Sequence, residues 1–275
     1  VRIDLHTHSH RSDGTDSPTE LVRNAAQAGL DVVALTDHDA TTGWQEALAA
    51  ADGLDVVVVP GIEISTTFQG ESVHLLGYGF DPDHPPLVEE LHRVLDGRDQ
   101  RLPRILARLA EHGIEITEAD VALQSGSAAA SGRPHVADAM VAKGYIGHRD
   151  EAFQGWLNSC GKAYVGRYAA PLLETIGLLK AAGGRAVVAH PWSRGSDRVL
   201  TSAAFEELAA AGLDGIEADH VDHDEWSRRG LRDIAKGLDL VVTGSSDYHG
   251  TGKSSAFHLG ANLTDPAEYE RLLGH

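Results

Sequence analysis

Apolar and polar positions along the chain fall into a repeating phrase. A stretch of helical spacing, often rich in alanine, closes on Gly-Leu-Asp, and a β-branched run follows. This happens at Gly29-Leu30-Asp31, Gly53-Leu54-Asp55, Gly212-Leu213-Asp214 and Gly237-Leu238-Asp239, with Gly183-Gly184-Arg185 as a fifth version. The glycine suits the left-handed position after a helix, and the leucine folds back on the last turn. The β-branched run then predicts a buried strand. Helices alternating with short apolar strands predict parallel βαβ units, hence an α/β fold. From Pro82 to Tyr168 the phrase is interrupted. Helical patterns run over Leu87 to His112, Pro134 to Gly144 and Glu151 to Leu157, no strand pattern intervenes, and Ser125 to Gly132 reads as a flexible loop. The expected organisation is a barrel domain formed by residues 1–81 and 169–275, with 82–168 as an inserted helical subdomain.

In α/β barrels the chemistry sits where strands end. Arg2 to Leu5 runs into His6-Thr7-His8, Asp31 to Thr36 into Asp37-His38-Asp39, and Asp55 to Gly61 is followed by Glu63. Ser72 to Gly79 carries His74; Arg185 to Ala189 ends at His190-Pro191; Asp214 to Ala218 ends at Asp219-His220; Asp239 to Ser245 ends at Asp247-Tyr248-His249. An isolated Asp after a strand is ordinarily a helix N-cap. The His6-x-His8 pair is different, because residues i and i+2 of a strand face one side and aim two imidazoles at one point. Such convergence is what a metal ion requires.

Composition narrows this further. In 275 residues, 23 Lys and Arg face 41 Asp and Glu, a formal charge of −18, beside 16 His and one Cys. The length fits a one-domain α/β barrel or one domain with an insertion. A lone Cys160 allows no intramolecular disulfide, and the first residues, Val1-Arg2-Ile3-Asp4-Leu5-His6, hold no apolar targeting segment, so the expected location is cytoplasmic. Apolar runs such as Val56 to Pro60 fall far short of the roughly 18 to 20 residues of a bilayer span, so no membrane partner is expected. The charge of −18 repels nucleic-acid phosphates, which disfavours a long nucleic acid as partner. Any phosphate chemistry needs local positive charge.

Seven motifs taken in order resemble the PHP (polymerase and histidinol phosphatase) family. They are His6-Thr7-His8, Ser12-Asp13-Gly14 with Ser17-Pro18, Thr36-Asp37-His38-Asp39, Gly61-Ile62-Glu63, His74-Leu75-Leu76-Gly77, Ala189-His190-Pro191 and Ser246-Asp247-Tyr248-His249-Gly250. The resemblance covers about Val1 to Phe80 and Pro171 to His275 and implies a distorted seven-stranded (β/α)7 barrel. Gly132-Arg133-Pro134-His135-Val136-Ala137 and Gly161-Lys162-Ala163-Tyr164-Val165 resemble the small-nucleotide phosphatases and 5′-to-3′ exoribonucleases of that family, in which a helical insert covers the barrel mouth. The loop Ala218-Asp219-His220-Val221-Asp222-His223 departs from the family, where an aromatic or Asn-containing loop is more usual.

The resemblance implies three divalent metal ions and nine ligands. One ion would take His6, His8, Glu63 and Asp247, a second Asp13, His38 and His249, and a third Glu63, His74 and His190. Imidazoles mixed with carboxylates suit Mn²⁺, the expected ion, or Fe²⁺ or Zn²⁺, better than Ca²⁺ or Mg²⁺. The implied reaction is phosphoester hydrolysis by a water that the metals acidify, with Asp247 orienting it or accepting its proton, and with His223 or a water as the acid for the leaving oxygen. Arg133 and His135 precede a helix and would grip a second phosphate, with Lys162, Arg167 and Arg194 as further substrate-binding candidates. The expected substrate is therefore a nucleoside 3′,5′-bisphosphate losing its 3′-phosphate. The rivals are a 5′-to-3′ exoribonuclease acting on short 5′-phosphorylated RNA, a histidinol phosphate phosphatase, and a metal-binding regulatory module without turnover. The sequence is silent on oligomeric state.

Overall fold

The computed structural model describes residues 1–193 and 195–274. Its centre is one sheet in the order β1 (Ile3–Thr7), β2 (Val32–Leu35), β3 (Val57–Phe68), β4 (Glu71–Tyr78), β6 (Arg185–Ala189), β7 (Gly215–Asp219), β8 (Val241–Gly244), with the two-residue β5 (Ala170–Pro171) beside β3. The seven-strand path is nearly closed. Between β1 and the segment after β8 a single bridge joins Thr7 to Tyr248, and the His8 N–H donates to the Tyr248 carbonyl at 2.8 Å.

The expectation of uniformly parallel strands holds for β1–β2–β3 and β6–β7–β8 and fails at β4, which runs antiparallel to both neighbours. The cause is local. β3 continues through Glu63 to Phe68 instead of stopping near Gly61, and only Gln69 and Gly70 separate it from β4. Both turn residues have positive φ (48° and 85°), the conformation of a two-residue hairpin turn; a parallel crossover needs a dozen residues or more. Glu63 thus lies within a strand and not after one.

Helices α1 (Pro18–Gln27), α2 (Trp44–Ala50), α7 (Leu172–Ala181), α8 (Ser202–Ala210), α9 (Glu225–Gly237) and α10 (Pro266–Leu273) accompany the barrel strands. α1 begins with a capping box in which Ser17 Oγ accepts from the Glu20 N–H and the Glu20 carboxylate accepts from the Ser17 N–H. Inside the barrel Ile3, Leu5, Leu76, Tyr78 and Val187 pack together, while Ile62, Ile64, Leu75 and Val188 meet the helical layer through residues such as Leu179 and Phe205.

Residues 85–155 contribute α3 (Pro85–Ala110), α4 (Glu118–Ser125), α5 (Arg133–Ala142) and α6 (Arg149–Gly155). They have an apolar cluster of their own that includes Leu109, Val121, Val136, Met140 and Leu157. The helical patterns anticipated α3, α5 and α6. α4 was not anticipated, although Thr117 and Asp120 form a capping box at its start. Among the described residues, ties between this region and the barrel rim include Arg98 to Asp39 and Ser65, the Ala129 N–H to the Arg11 carbonyl, and Arg149 to the carbonyls of Asp13 and Gly252. Among the described residues no helix is long and apolar enough to cross a membrane.

Candidate metal centre

The nine anticipated metal ligands converge at one end of the barrel. The first pair lies at the end of β1, His6 within it and His8 just beyond, where the register against β2 shifts between Asp4 and Thr7. His6 and His8 are fully buried with their Nε2 atoms 3.0 Å apart, and Asp247 Oδ1 lies 3.6 and 3.4 Å from them. Glu63 sits centrally. Its Oε2 is 3.2 Å from His8 Nε2 and 3.0 Å from His38 Nδ1, and its Oε1 is 2.7 Å from His74 Nδ1 and 3.0 Å from His190 Nε2. Asp13 completes the set, with Oδ1 3.2 Å from His249 Nε2 and Oδ2 3.7 Å from His38 Nε2.

A surrounding layer of carboxylates fixes these groups. Glu217 accepts from His6 Nδ1 at 3.0 Å, from the His190 N–H at 2.7 Å and from Ser245 Oγ. Asp37 accepts from the Ser9 N–H and from the hydroxyls of Ser9 and Ser12, holding the turn that carries Asp13. Asp4 ties the N–H groups of Ser246 and Gly260 to β1. Asp39, His190 and Asp247 all adopt positive φ (56°, 28° and 51°), so backbone strain gathers at this rim.

The bonding pattern fits cations. His249 donates from Nδ1 to the Asp247 carbonyl at 2.9 Å, so its Nε2 presents a lone pair to the Asp13 carboxylate 3.2 Å away, and two acceptors face each other. His38 Nδ1 is buried without a hydrogen bond although Glu63 Oε2 is 3.0 Å distant. A divalent ion resolves both conflicts, and the donors near it are the imidazoles and carboxylates that transition metals prefer. Three groups of side chains have ligand atoms close enough for a common ion: His8, Asp13, His38 and His249; His6, His8 and Asp247; and His38, Glu63 and His74.

Without such ions the charges lean on one another. Burial works against ionisation of Asp13, Glu63 and Asp247, yet the adjacent cations win and hold each carboxyl well below its usual range, Asp247 through Lys253 first and then His6. Burial likewise opposes protonation of His6, but Glu217, Glu63 and Asp247 draw its pKa well up. For His249 burial, Lys253 and His8 act together and press it down to about 3.

The substrate-binding candidates divide. Arg133 and Arg167 fall in a group with two arginines that the sequence reading missed, Arg98 and Arg101 of α3. Arg98 is neutralised by Asp39, at 2.7 Å. Arg101 is 5% exposed and, among the described residues, has no hydrogen bond or ion pair. Burial, reinforced by Arg133, Arg167 and Arg98, depresses it to about 8, and burial with Arg98 lowers Arg167 to about 10. Arg133 donates to the Leu157 carbonyl at 2.8 Å and lies near the Phe153 and Tyr164 rings. His135 is buried, accepts from the Gly132 N–H at 2.9 Å, and shares a small cavity with Asp13, His38 and Arg98. Lys162 lies over the Trp156 ring, 4.9 Å from its centre. Arg194 lies outside the described residues.

His223, expected as a candidate acid, has Nδ1 2.8 Å from the Ala218 carbonyl and Nε2 beside the Pro191 carbonyl, so its ring lies against backbone oxygens on both sides. The residues on the Asp247 carboxylate are instead His220 and Lys253. Lys253 lies beyond the rim motifs; its one sequence signal is a cation four residues after His249 in a Gly-rich loop.

Fold and donor set together define a metal-dependent phosphoesterase, a hydrolytic enzyme. The PHP domain model matches residues 4–165, and the chain belongs to the PHP family. It is 33% identical over 249 residues to a 5′-3′ exoribonuclease of Haemophilus influenzae, covering 90% of each chain. It is also 33% identical over 255 residues to the 3′,5′-nucleoside bisphosphate phosphatase of Chromobacterium violaceum, covering 92% of this chain and 89% of the relative. Among solved structures, a Bifidobacterium adolescentis protein described as a metal-dependent phosphoesterase superposes with a TM-score of 0.93 at 36% identity, over 99% of this chain and 95% of that one.

Proposed function

We propose that the protein hydrolyses the 3′-phosphate of a nucleoside 3′,5′-bisphosphate, leaving a nucleoside 5′-monophosphate and inorganic phosphate. The observation that carries this reading is Arg101: on a residue only 5% exposed, its guanidinium stands beside Arg133, Arg167 and Arg98 and, among the described residues, has no acceptor or compensating anion. A buried unpaired charge is costly, and a terminal phosphate is the anion whose geometry a guanidinium matches best. The name of the Chromobacterium violaceum relative accords with such a substrate.

Three ions, Mn²⁺ as the expected species, would be held by His6, His8, Glu63 and Asp247, by Asp13, His38 and His249, and by Glu63, His74 and His190. When bound, they supply Lewis acidity toward the phosphoryl oxygens and toward the attacking water. The protein's own groups do the rest. Asp247 orients the water and takes its proton as the water oxygen joins phosphorus and the P–O bond to the ribose breaks, and the departing ribose oxygen takes a proton from a water to become the 3′-hydroxyl. Arg133, Arg101 and Arg167 hold the second phosphate, with His135 at the start of α5 and Lys162 beside them. Residues 82–168 act as a unit that brings these cations over the mouth. The protein works in the cytoplasm on a small nucleotide rather than a long nucleic acid.

The deciding experiment is a phosphate-release screen of the Mn²⁺-loaded protein on adenosine 3′,5′-bisphosphate, short 5′-phosphorylated RNA and histidinol phosphate. The bisphosphate should be turned over fastest, and Asp247→Asn should lose about 10³-fold in kcat while remaining folded. Preference for the RNA or for histidinol phosphate would overturn the assignment.

A further inference from the structure

His220 stands in the loop after β7 and is fully buried. The Asp222 N–H donates to its Nδ1 at 3.1 Å. A nitrogen that accepts a hydrogen bond carries the lone pair, so the ring proton belongs on Nε2. That atom lies 3.3 Å from Asp247 Oδ2. The rings of His190, His223 and Phe257 surround the imidazole with centres 5.0, 5.7 and 6.0 Å away.

The loop that carries it is stapled from behind. Arg228 of α9 donates to the His220 carbonyl at 2.7 Å, to the His223 carbonyl at 3.1 Å and to Asn262 Oδ1 at 3.0 Å. The His223 ring sits between the Ala218 and Pro191 carbonyls. His220 is therefore fixed in position and in tautomer by its own backbone. The two oxygens of Asp247 are consequently differentiated. Oδ2 receives His220 and Lys253, while Oδ1 faces His6, His8 and His249 at 3.4 to 3.6 Å.

We infer that His220 is a positioning residue whose Nε2–H locks the Asp247 carboxylate, so that Oδ1 alone turns toward the histidine group. The inference rests on the proposed hydrolytic role of Asp247 and adds a group through which that role is set. Outer hydrogen-bond partners of this kind typically matter by about 10- to 100-fold.

Two measurements test it. In the metal-free protein, long-range ¹H–¹⁵N NMR should report His220 as the Nε2-protonated tautomer, and the Nδ1-protonated form would overturn the inference. In steady-state kinetics with Mn²⁺, His220→Leu should lower kcat by about 10- to 100-fold with KM nearly unchanged. His220→Gln, whose amide N–H reaches the Nε2 position, should recover most of that loss, and His220→Asn, which mimics only Nδ1, should not. Equal losses in the Gln and Asn variants, or none in either, would refute the positioning role; this comparison also decides the matter if the Leu variant fails to fold. If the wild-type protein hydrolyses none of the phosphoesters, the functional proposal fails, and the tautomer measurement still judges the His220 geometry.

Discussion

His249 and Asp13 face each other across 3.2 Å with an imidazole lone pair on one side and a carboxylate oxygen on the other, because the second nitrogen of His249 is committed to the Asp247 carbonyl. Such a pair is repulsive until a cation enters. The protein builds this contact at low exposure, from loops far apart in sequence, so the fold itself stores a demand for metal.

A divalent ion that binds this site should stabilise the native state by mass action, and Mn²⁺ is the ion to test. Thermal unfolding of chelator-treated protein should shift upward on adding Mn²⁺ and reach a plateau at saturation. His249→Ala should reduce the bound metal, read by elemental analysis, and shrink the shift. An unchanged melting temperature on metal addition would remove the structural argument for the centre.

Arg101 carries an opposite signature. With no acceptor and a pKa depressed to about 8, it costs the ligand-free protein stability. Arg101→Met should raise the melting temperature of the ligand-free protein, as replacement of unpaired buried charge by an apolar chain does. The same change should raise KM for adenosine 3′,5′-bisphosphate by about tenfold while leaving adenosine 3′-monophosphate little affected. Equal effects on both substrates would place the guanidinium outside the second-phosphate contact.

The buried Arg98–Asp39 pair should behave conventionally. Arg98→Ala takes from buried Asp39 its ion-pair partner, leaving the Ser65 hydrogen bonds and the more distant Arg167 charge, and removes a tie between α3 and the rim. A loss of about 3–5 kcal/mol is expected in denaturant unfolding, against far less for the exposed pair Arg229–Glu225.

Glu217 supplies a pH-dependent term. Burial opposes its ionisation, but His6, and then His220 and His190, hold the carboxyl at about 2, below the ordinary 4.5. A depressed carboxyl contributes stability that is complete above the unfolded pKa and is lost as pH falls through the folded one. The metal-free protein should therefore lose stability between about pH 4.5 and 2, by about 3 kcal/mol from this group. Glu217→Gln should be less stable at neutral pH and should flatten that part of the acid unfolding curve.

Much of the cluster was legible because several strand ends carry His or Asp, as at His6-x-His8, His38, His190, Asp247 and His249, while Asp13, Glu63 and His74 came from the motifs of the family resemblance. The groups that orient them were harder to read. Glu217 sits inside an apolar strand, and nothing local distinguishes a carboxylate facing a buried histidine from one facing solvent. Arg98 and Arg101 share one helix with Arg93, Arg104 and Arg108, and only tertiary packing separates the buried pair from exposed neighbours. The parallel expectation fails at β4 because the Gln69-Gly70 turn returns the chain at once, and a Gln-Gly pair is a weaker hairpin signal than Asn-Gly or Asp-Gly. The surroundings of His223 were not legible either, because they are backbone carbonyls, which leave no trace in a pattern of side chains.

That two-residue turn has a reach beyond its own neighbourhood. Ser65 pairs with His74 and Glu63 with Leu76, so Glu63, Ser65 and His74 share the face of the hairpin that looks into the mouth. Strand pairing has only two faces, and a slip of one residue exchanges them. An insertion of one residue between Gln69 and Gly70 would swing His74 outward relative to Glu63 and bring an apolar neighbour in. The loop at the far tip of the hairpin thereby acts as the alignment key for a catalytic centre it never touches, and its length is as constrained as the identity of any ligand.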